Sequence, residues 1–171
     1  MKQMLKYILN SIIQQQQYAE QKHGFVLAIN SGIIVLTVSF FSNSGPIILF
    51  LNFCVLVMCG TSLCLNLLAL YSRVITIKNN KVNSLIKCNM LYFGNIAYFS
   101  EEEFLIRIKS QYNFPENYIF DNFDKDLARQ IVVNSRVVAI KHRLFNKSLL
   151  FLIFGLISAV FMFATISLGG I

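Results

Sequence analysis

An all-α membrane protein with three transmembrane helices is the fold class this sequence predicts, on three observations. No residue from Gly24 to Ser72 is charged. A second uncharged run, Ser148 to Ile171, ends the sequence. Hydrophobic residues make up 56 % of the 171 residues and charged residues 13 %, against roughly a quarter charged in soluble domains. A chain this apolar cannot cover its own surface with polar groups, so lipid must be part of its solvent.

The first uncharged run is too long for one span, which needs about 20 residues. It breaks at Ser42-Asn43-Ser44-Gly45-Pro46, a cluster of turn formers. The reading is a helical hairpin over 24–72: span one at 24–41, a turn at 42–46 and span two at 47–71, with Pro46 at a first helical position that tolerates its missing N–H. The third span is 148–171. Gly155, Ala159, Ala164 and Gly169 would permit close helix approach, although small residues are common in any span. Asn30, Ser31, Asn52, Thr61, Ser62 and Asn66 fall at membrane depth, where facing a neighbouring helix costs less than facing lipid. Three of the four cysteines, Cys54, Cys59 and Cys64, share span two without a histidine. That spacing does not fit a zinc site, and they read as small packing residues, with Cys88 a free thiol.

Residues 1–23 place Leu5, Ile8, Ile12 and Ala19 at near-helical spacing, with Leu9 and Ile13 widening the stripe. Two readings stay open: an amphipathic helix on the membrane surface, or a helix that extends span one and packs against the polar part of the chain. No apolar segment ahead of a cleavage site marks a removable signal.

The polar module at 73–147 is mostly helical by pattern. Residues 73–90 are ambiguous between a short strand hairpin and a loop. Ser100-Glu101-Glu102-Glu103 is a capping box, with Phe99 and Phe104 placed as a hydrophobic staple, so a helix covers about 100–112. The three glutamates complement its dipole and need no catalytic role. After Pro115 a second helix starts near Asp121 and nothing breaks it before span three. Leu127, Ile131, Val138 and Phe145 form one face; Arg129, Arg136, Lys141 and Arg143 project elsewhere, as solvated groups and membrane anchors or as holders of a phosphate. The aromatic stretch before Ser100 is either a wall of a ligand pocket or a plug that seats the helix.

Charge order sets the expected topology. Lys2, Lys6 and Lys22 precede span one, Arg73, Lys78, Lys81 and Lys87 follow span two, and Arg136, Lys141, Arg143 and Lys147 precede span three. Basic residues beside spans mark the cytoplasmic side, so the N-terminus and the module face the cytoplasm and the C-terminus the periplasm. Orientation and anionic headgroups account for much of the net charge of +7, and a nucleic-acid polymer is not needed as partner. Two isolated histidines, no glycine-rich phosphate loop and no nucleophile placed beside a base argue against an enzyme.

The chain resembles the Pycsar transmembrane effectors of bacterial cyclic-nucleotide antiphage defence, and more loosely the SLATT-type two-span effectors. YAEQKHGFVLAINSGII at 18–34 is similar to the family's opening, with Lys22 and Asn30 on its positions. LYFGNIAYFSEEEFL at 91–105 and DLARQIVVNSRVVAIKHRLFNKSLLFLIFG at 126–155 match its middle segment and its last helix. Gln21, His23 and Asn95 depart from the pattern. The resemblance implies a bacterial inner-membrane protein that needs no cofactor, is activated by a cyclic nucleotide from a partner cyclase, and disrupts the lipid bilayer; a homo-oligomer is expected because three spans cannot enclose a pore alone. Tyr92, Phe93, Asn95, Arg129, Arg136 and Lys141 are then the expected ligand-binding residues, and the last helix is a lever between ligand and membrane. Rival functions are a ligand-independent holin-like pore former and a membrane scaffold subunit.

Overall fold

A computed structural model describes residues 1–39, 45–71 and 88–168, and no strand occurs among them. The helices are α1 (Lys2–Ser39), α2 (Pro46–Tyr71), α3 (Phe93–Ile96), α4 (Glu101–Gln111) and α5 (Asn122–Leu168). Three of them, α1, α2 and α5, are long and apolar enough to cross a membrane. The protein is therefore an all-helical membrane protein, as its uncharged runs predict. The expected turn residues 42–44, the ambiguous segment through residue 87 and Gly169 lie outside the described residues.

Two compact units share the chain: Met1–Ala19 with Ser72–Lys141, and Glu20–Tyr71 with His142–Ile171. The first unit is built on an apolar cluster. Leu5, Ile8 and Ile12 of α1 meet Phe104, Leu105 and Ile108 of α4 and Leu127, Ile131 and Val138 of α5 in it, with Met90, Ile96 and Phe99 from the connecting segment. The start of α1 therefore packs against the polar part of the chain and continues unbroken into span one, which settles the choice left open by its pattern. Leu9 packs at the margin of the cluster, whereas Ile13 is exposed.

Local sequence fixes both ends of α4. The Ser100 hydroxyl accepts from Glu103 N at 3.2 Å, and Glu103 Oε2 accepts from Ser100 N at 2.9 Å. Phe99 and Phe104, flanking that box, are both buried. At the other end Phe114 N donates to Lys109 O and Asn113 N to Ser110 O, the paired bonds of a Schellman motif. Its left-handed position is taken by Asn113, with φ of 53°; asparagine is the non-glycine residue that best tolerates this conformation. Removing the cap with Ser100→Ala is expected to destabilise α4 by about 1 kcal/mol, read as faster amide exchange at residues 101–104 and unchanged exchange in α2.

The start of α5 is capped by Asp121, whose Oδ1 accepts from Asp124 N at 2.8 Å. Asp121 also pairs with Lys2 of α1. The hydrogen bond from Lys2, and then the one from the Asp124 amide, hold the Asp121 carboxyl below its ordinary 3.8. A depressed folded pKa means the contribution is complete above the ordinary value and is lost as pH falls through the lower, folded one. Both partners are solvent-exposed, so it is small. Tyr118 donates to Asp124 Oδ2 at 2.7 Å, which is the main cause pushing its hydroxyl up to about 12.

In the second unit, α2 runs antiparallel to the adjoining parts of α1 and α5: His23 meets Asn66 and Asn30 meets Ser62. Gly155 of α5 lies so close to α2 that an added Cβ would sit 2.8 Å from Cys59 Sγ. Of the small residues noted in span three, this one sits at a close helix contact.

Candidate functional site

The expected ligand-binding residues do not form one constellation. Tyr92, the cap of α3, is about half exposed, and its ring lies over Gly94, where an added Cβ would stand 2.4 Å from Tyr92 Cε1. Phe93 lies 4.7 Å from Tyr92, ring to ring, and packs on the apolar cluster. Phe93 thus packs on the cluster to which α4 also contributes, and Tyr92 stays more exposed. Asn95 Nδ2 donates to Asn89 O at 3.3 Å, which closes the turn ahead of α3. Arg136 turns inward, donating from Nε to Ala97 O at 3.1 Å and from Nη2 to Phe99 O at 2.9 Å. Lys141 is buried. Only Arg129 projects outward among the three cations, and its Nε is 3.0 Å from Glu101 Oε1.

That ion pair stands beside a cleft of about 330 Å³ lined by Glu101, Glu102, Leu105, Ile106, Phe120 and Lys125, a volume at the low end for small-molecule sites. α4 supplies its acidic and aliphatic walls, the segment before α5 supplies Phe120, and the first turn of α5 supplies Lys125. Lys109 shapes this region by donating to the carbonyls of Glu116 and Tyr118 while its ammonium stands 5.7 Å from the Phe120 ring centroid. The cleft offers an aromatic ring, carboxylate acceptors and a cation, with a second cation held by Glu101. The Arg129 side chain is 67 % exposed and that of Glu101 41 %, so the pair contributes about 0–1 kcal/mol and can exchange partners. Sequence reading gave Glu101 and Glu102 their capping role and missed the cleft, because Phe120 and Lys125 join them only through the packing of α5 on α4.

A second polar constellation lies inside the three-helix unit. Asn66 Nδ2 donates to Ser62 O at 2.8 Å, which leaves its Oδ1 to accept, at 2.6 Å, from His23 Nδ1. Ser62 Oγ accepts from Asn30 Nδ2 at 2.9 Å and donates to Ser148 O at 2.8 Å. Ser148 Oγ is in reach of Phe145 O at 2.8 Å and Asn66 Oδ1 at 3.2 Å, its single proton serving one of them. His23, Asn30, Ser62, Asn66 and Ser148 are all fully buried. By contrast Ser31 and Thr61 bond back to the carbonyls of Leu27 and Val57 on their own helices. Asn30, Ser62 and Asn66 face neighbouring helices as their cost in lipid predicts; His23 and Ser148 were not anticipated. Among the described residues, no group of three or more His, Cys, Asp or Glu side chains is placed to hold a metal ion.

The sequence pattern of the Pycsar effector protein domain matches residues 4–168, nearly the entire chain. The chain belongs to the Pycsar effector family. It is thus a membrane effector of antiphage defence, and its span-forming helices are those of a Pycsar effector domain. No curated protein and no solved structure matches the chain.

Proposed function

We propose that this Pycsar effector senses a cyclic nucleotide made by a partner cyclase and responds, as a homo-oligomer, by breaching the bacterial inner membrane. The basic residues flanking the spans support an orientation with the N-terminus and the first unit in the cytoplasm, where such a messenger is made. The observation that carries the ligand reading is the cleft beside the Arg129–Glu101 pair. A cyclic mononucleotide presents a planar base, donor groups on base and ribose, and one phosphate charge. Phe120 offers a face for the base, Glu101 and Glu102 accept from the donors, and Lys125 faces the phosphate. Arg129 joins them once the phosphate displaces Glu101, because a guanidinium binds phosphate through two parallel hydrogen bonds.

This exchange gives opposite signs for the two partners. Losing a charge-assisted bond of about 1.5–3 kcal/mol, Arg129→Ala is expected to weaken nucleotide binding about tenfold to a hundredfold. Glu101→Gln removes the competitor and keeps the hydrogen-bonding shape, so it should tighten binding. Calorimetric titration of the solubilised full chain with the 3′,5′-cyclic mononucleotides of all four common bases reads both. Absence of binding by every member of that panel defeats the sensing reading, and a weakening by Glu101→Gln defeats the exchange. Toxicity on expression that is indifferent to Arg129→Ala and to nucleotide would instead favour the ligand-independent pore former.

A further inference from the structure

In the three-helix unit α1 and α2 bury polar groups, whereas α5 buries Leu152 and Met162 beside Ser148. Large apolar side chains of α2 and α5 face outward: Ile47, Phe50, Phe53, Leu67 and Leu68 on α2, with Val160 and Phe161 on α5, are all at least half exposed. The buried face of α2 is Asn52, Val55, Cys59, Ser62, Asn66 and Ala69. Polar or soft groups recur there every seven residues, at 52, 59 and 66. On α1 the same spacing gives His23, Asn30 and Thr37, all buried. A seven-residue step keeps a group on nearly the same face of a helix. From Asn52 to Asn66 the face runs about 21 Å at about 1.5 Å per residue, most of a hydrocarbon layer of about 30 Å.

Interhelical hydrogen bonding explains those members that are paired. It does not explain Asn52, whose Oδ1 and Nδ2 are both buried without a partner among the described residues, or the Oδ1 of Asn30. Leucine would fill the place of Asn52 at lower cost in a helix bundle that stays dry. A face that water enters accounts for an amide at that place. The face is closed beside Gly155, where an added Cβ would stand 2.8 Å from Cys59 Sγ, so any opening there is narrow.

We propose that this polar face of α1 and α2 lines the route by which the homo-oligomer breaches the membrane, and that the route passes water and small monovalent ions. The inference rests on the membrane-breaching half of the proposed function and is independent of which ligand opens the route. Cys59 lies on the polar face and Cys64 on the outer, apolar one, so the chain carries its own probes. Full-length variants that retain one of these cysteines, the others changed to alanine, are placed in liposomes and treated with a charged, membrane-impermeant methanethiosulfonate, alone and with each cyclic mononucleotide. Because the hydrated thiolate is the reacting species, Cys59 is expected to react about tenfold or more faster than Cys64. Protection of Cys59 under every condition overturns the proposal. Reaction of Cys59 that no nucleotide alters upholds the route and defeats nucleotide gating.

Permeability supplies the second measurement. The liposomes are expected to lose potassium while retaining carboxyfluorescein, and Asn52→Leu is expected to slow the potassium loss while the thermal midpoint in detergent stays level or rises. Simultaneous loss of ion and dye, or an Asn52→Leu protein that leaks as fast as the parent, refutes the narrow polar route.

Discussion

Truncating Phe104 to alanine is expected to loosen the first unit by about 3–5 kcal/mol, the usual cost of deleting a buried phenyl ring. Phe104 is fully buried and reaches the cluster shared by α1, α4 and α5. It is also the inner half of the staple that closes over the Ser100 cap, so the same substitution removes the contact that sets the entry angle of α4. Hydrogen exchange on the full chain checks this. Protection at Leu105–Ile108 should fall by about a hundredfold or more, since each 1.4 kcal/mol is a factor of ten. Exchange in α2 should not change, because Phe104 belongs to the other unit. Equal loss in both units would show that they open as one cooperative body. A loss below about tenfold would show that α4 is held chiefly by its caps.

The staple was legible in the sequence because all its parts lie within six residues. Capping chemistry is read from neighbours: a serine, a glutamate three positions on, and an aromatic on either side. The inward stripe of α1 was legible for a related reason, since Leu5, Ile8 and Ile12 repeat at the helical period. What packs on that stripe was not legible, so the choice between membrane surface and protein core had to come from the fold. The polar contacts inside the spans mark the limit more sharply. Asn30 and Ser62 are 32 residues apart, and Ser62 and the Ser148 carbonyl 86. Composition predicts that such groups avoid lipid, without saying which will meet. The seven-residue recurrence of His23, Asn30 and Thr37 was the available signal for His23, which looks isolated when only histidines are compared. The cleft left no local trace at all: Phe120 and Lys125 flank a helix start in sequence and gain their neighbours Glu101 and Leu105 through tertiary packing.

Arg136 shows how a cation that looks like a phosphate holder is committed elsewhere, and its substitution has the second large expected effect. Its guanidinium binds the carbonyls of Ala97 and Phe99, at the end of α3 and just before the cap of α4. The chain turns there, so those oxygens take their hydrogen bonds from α5. Arg136→Ala removes two charge-assisted bonds and strands two partly buried carbonyls, at a cost of about 2–3 kcal/mol. Amide protection across residues 96–104 of the nucleotide-free protein should fall by about thirtyfold to a hundredfold. Arg136→Lys should recover only part of it, because an ammonium is a point charge and lacks the planar fork that spans two acceptors. A guanidinium whose main work is to hold nucleotide phosphate gives the opposite pattern: unchanged exchange without nucleotide, weaker nucleotide binding, and a lysine that substitutes well. Measuring both variants with and without the cyclic mononucleotides therefore separates a clasp on the α3–α4 turn from a ligand contact. The clasp assignment fails if the nucleotide-free alanine variant exchanges like the parent.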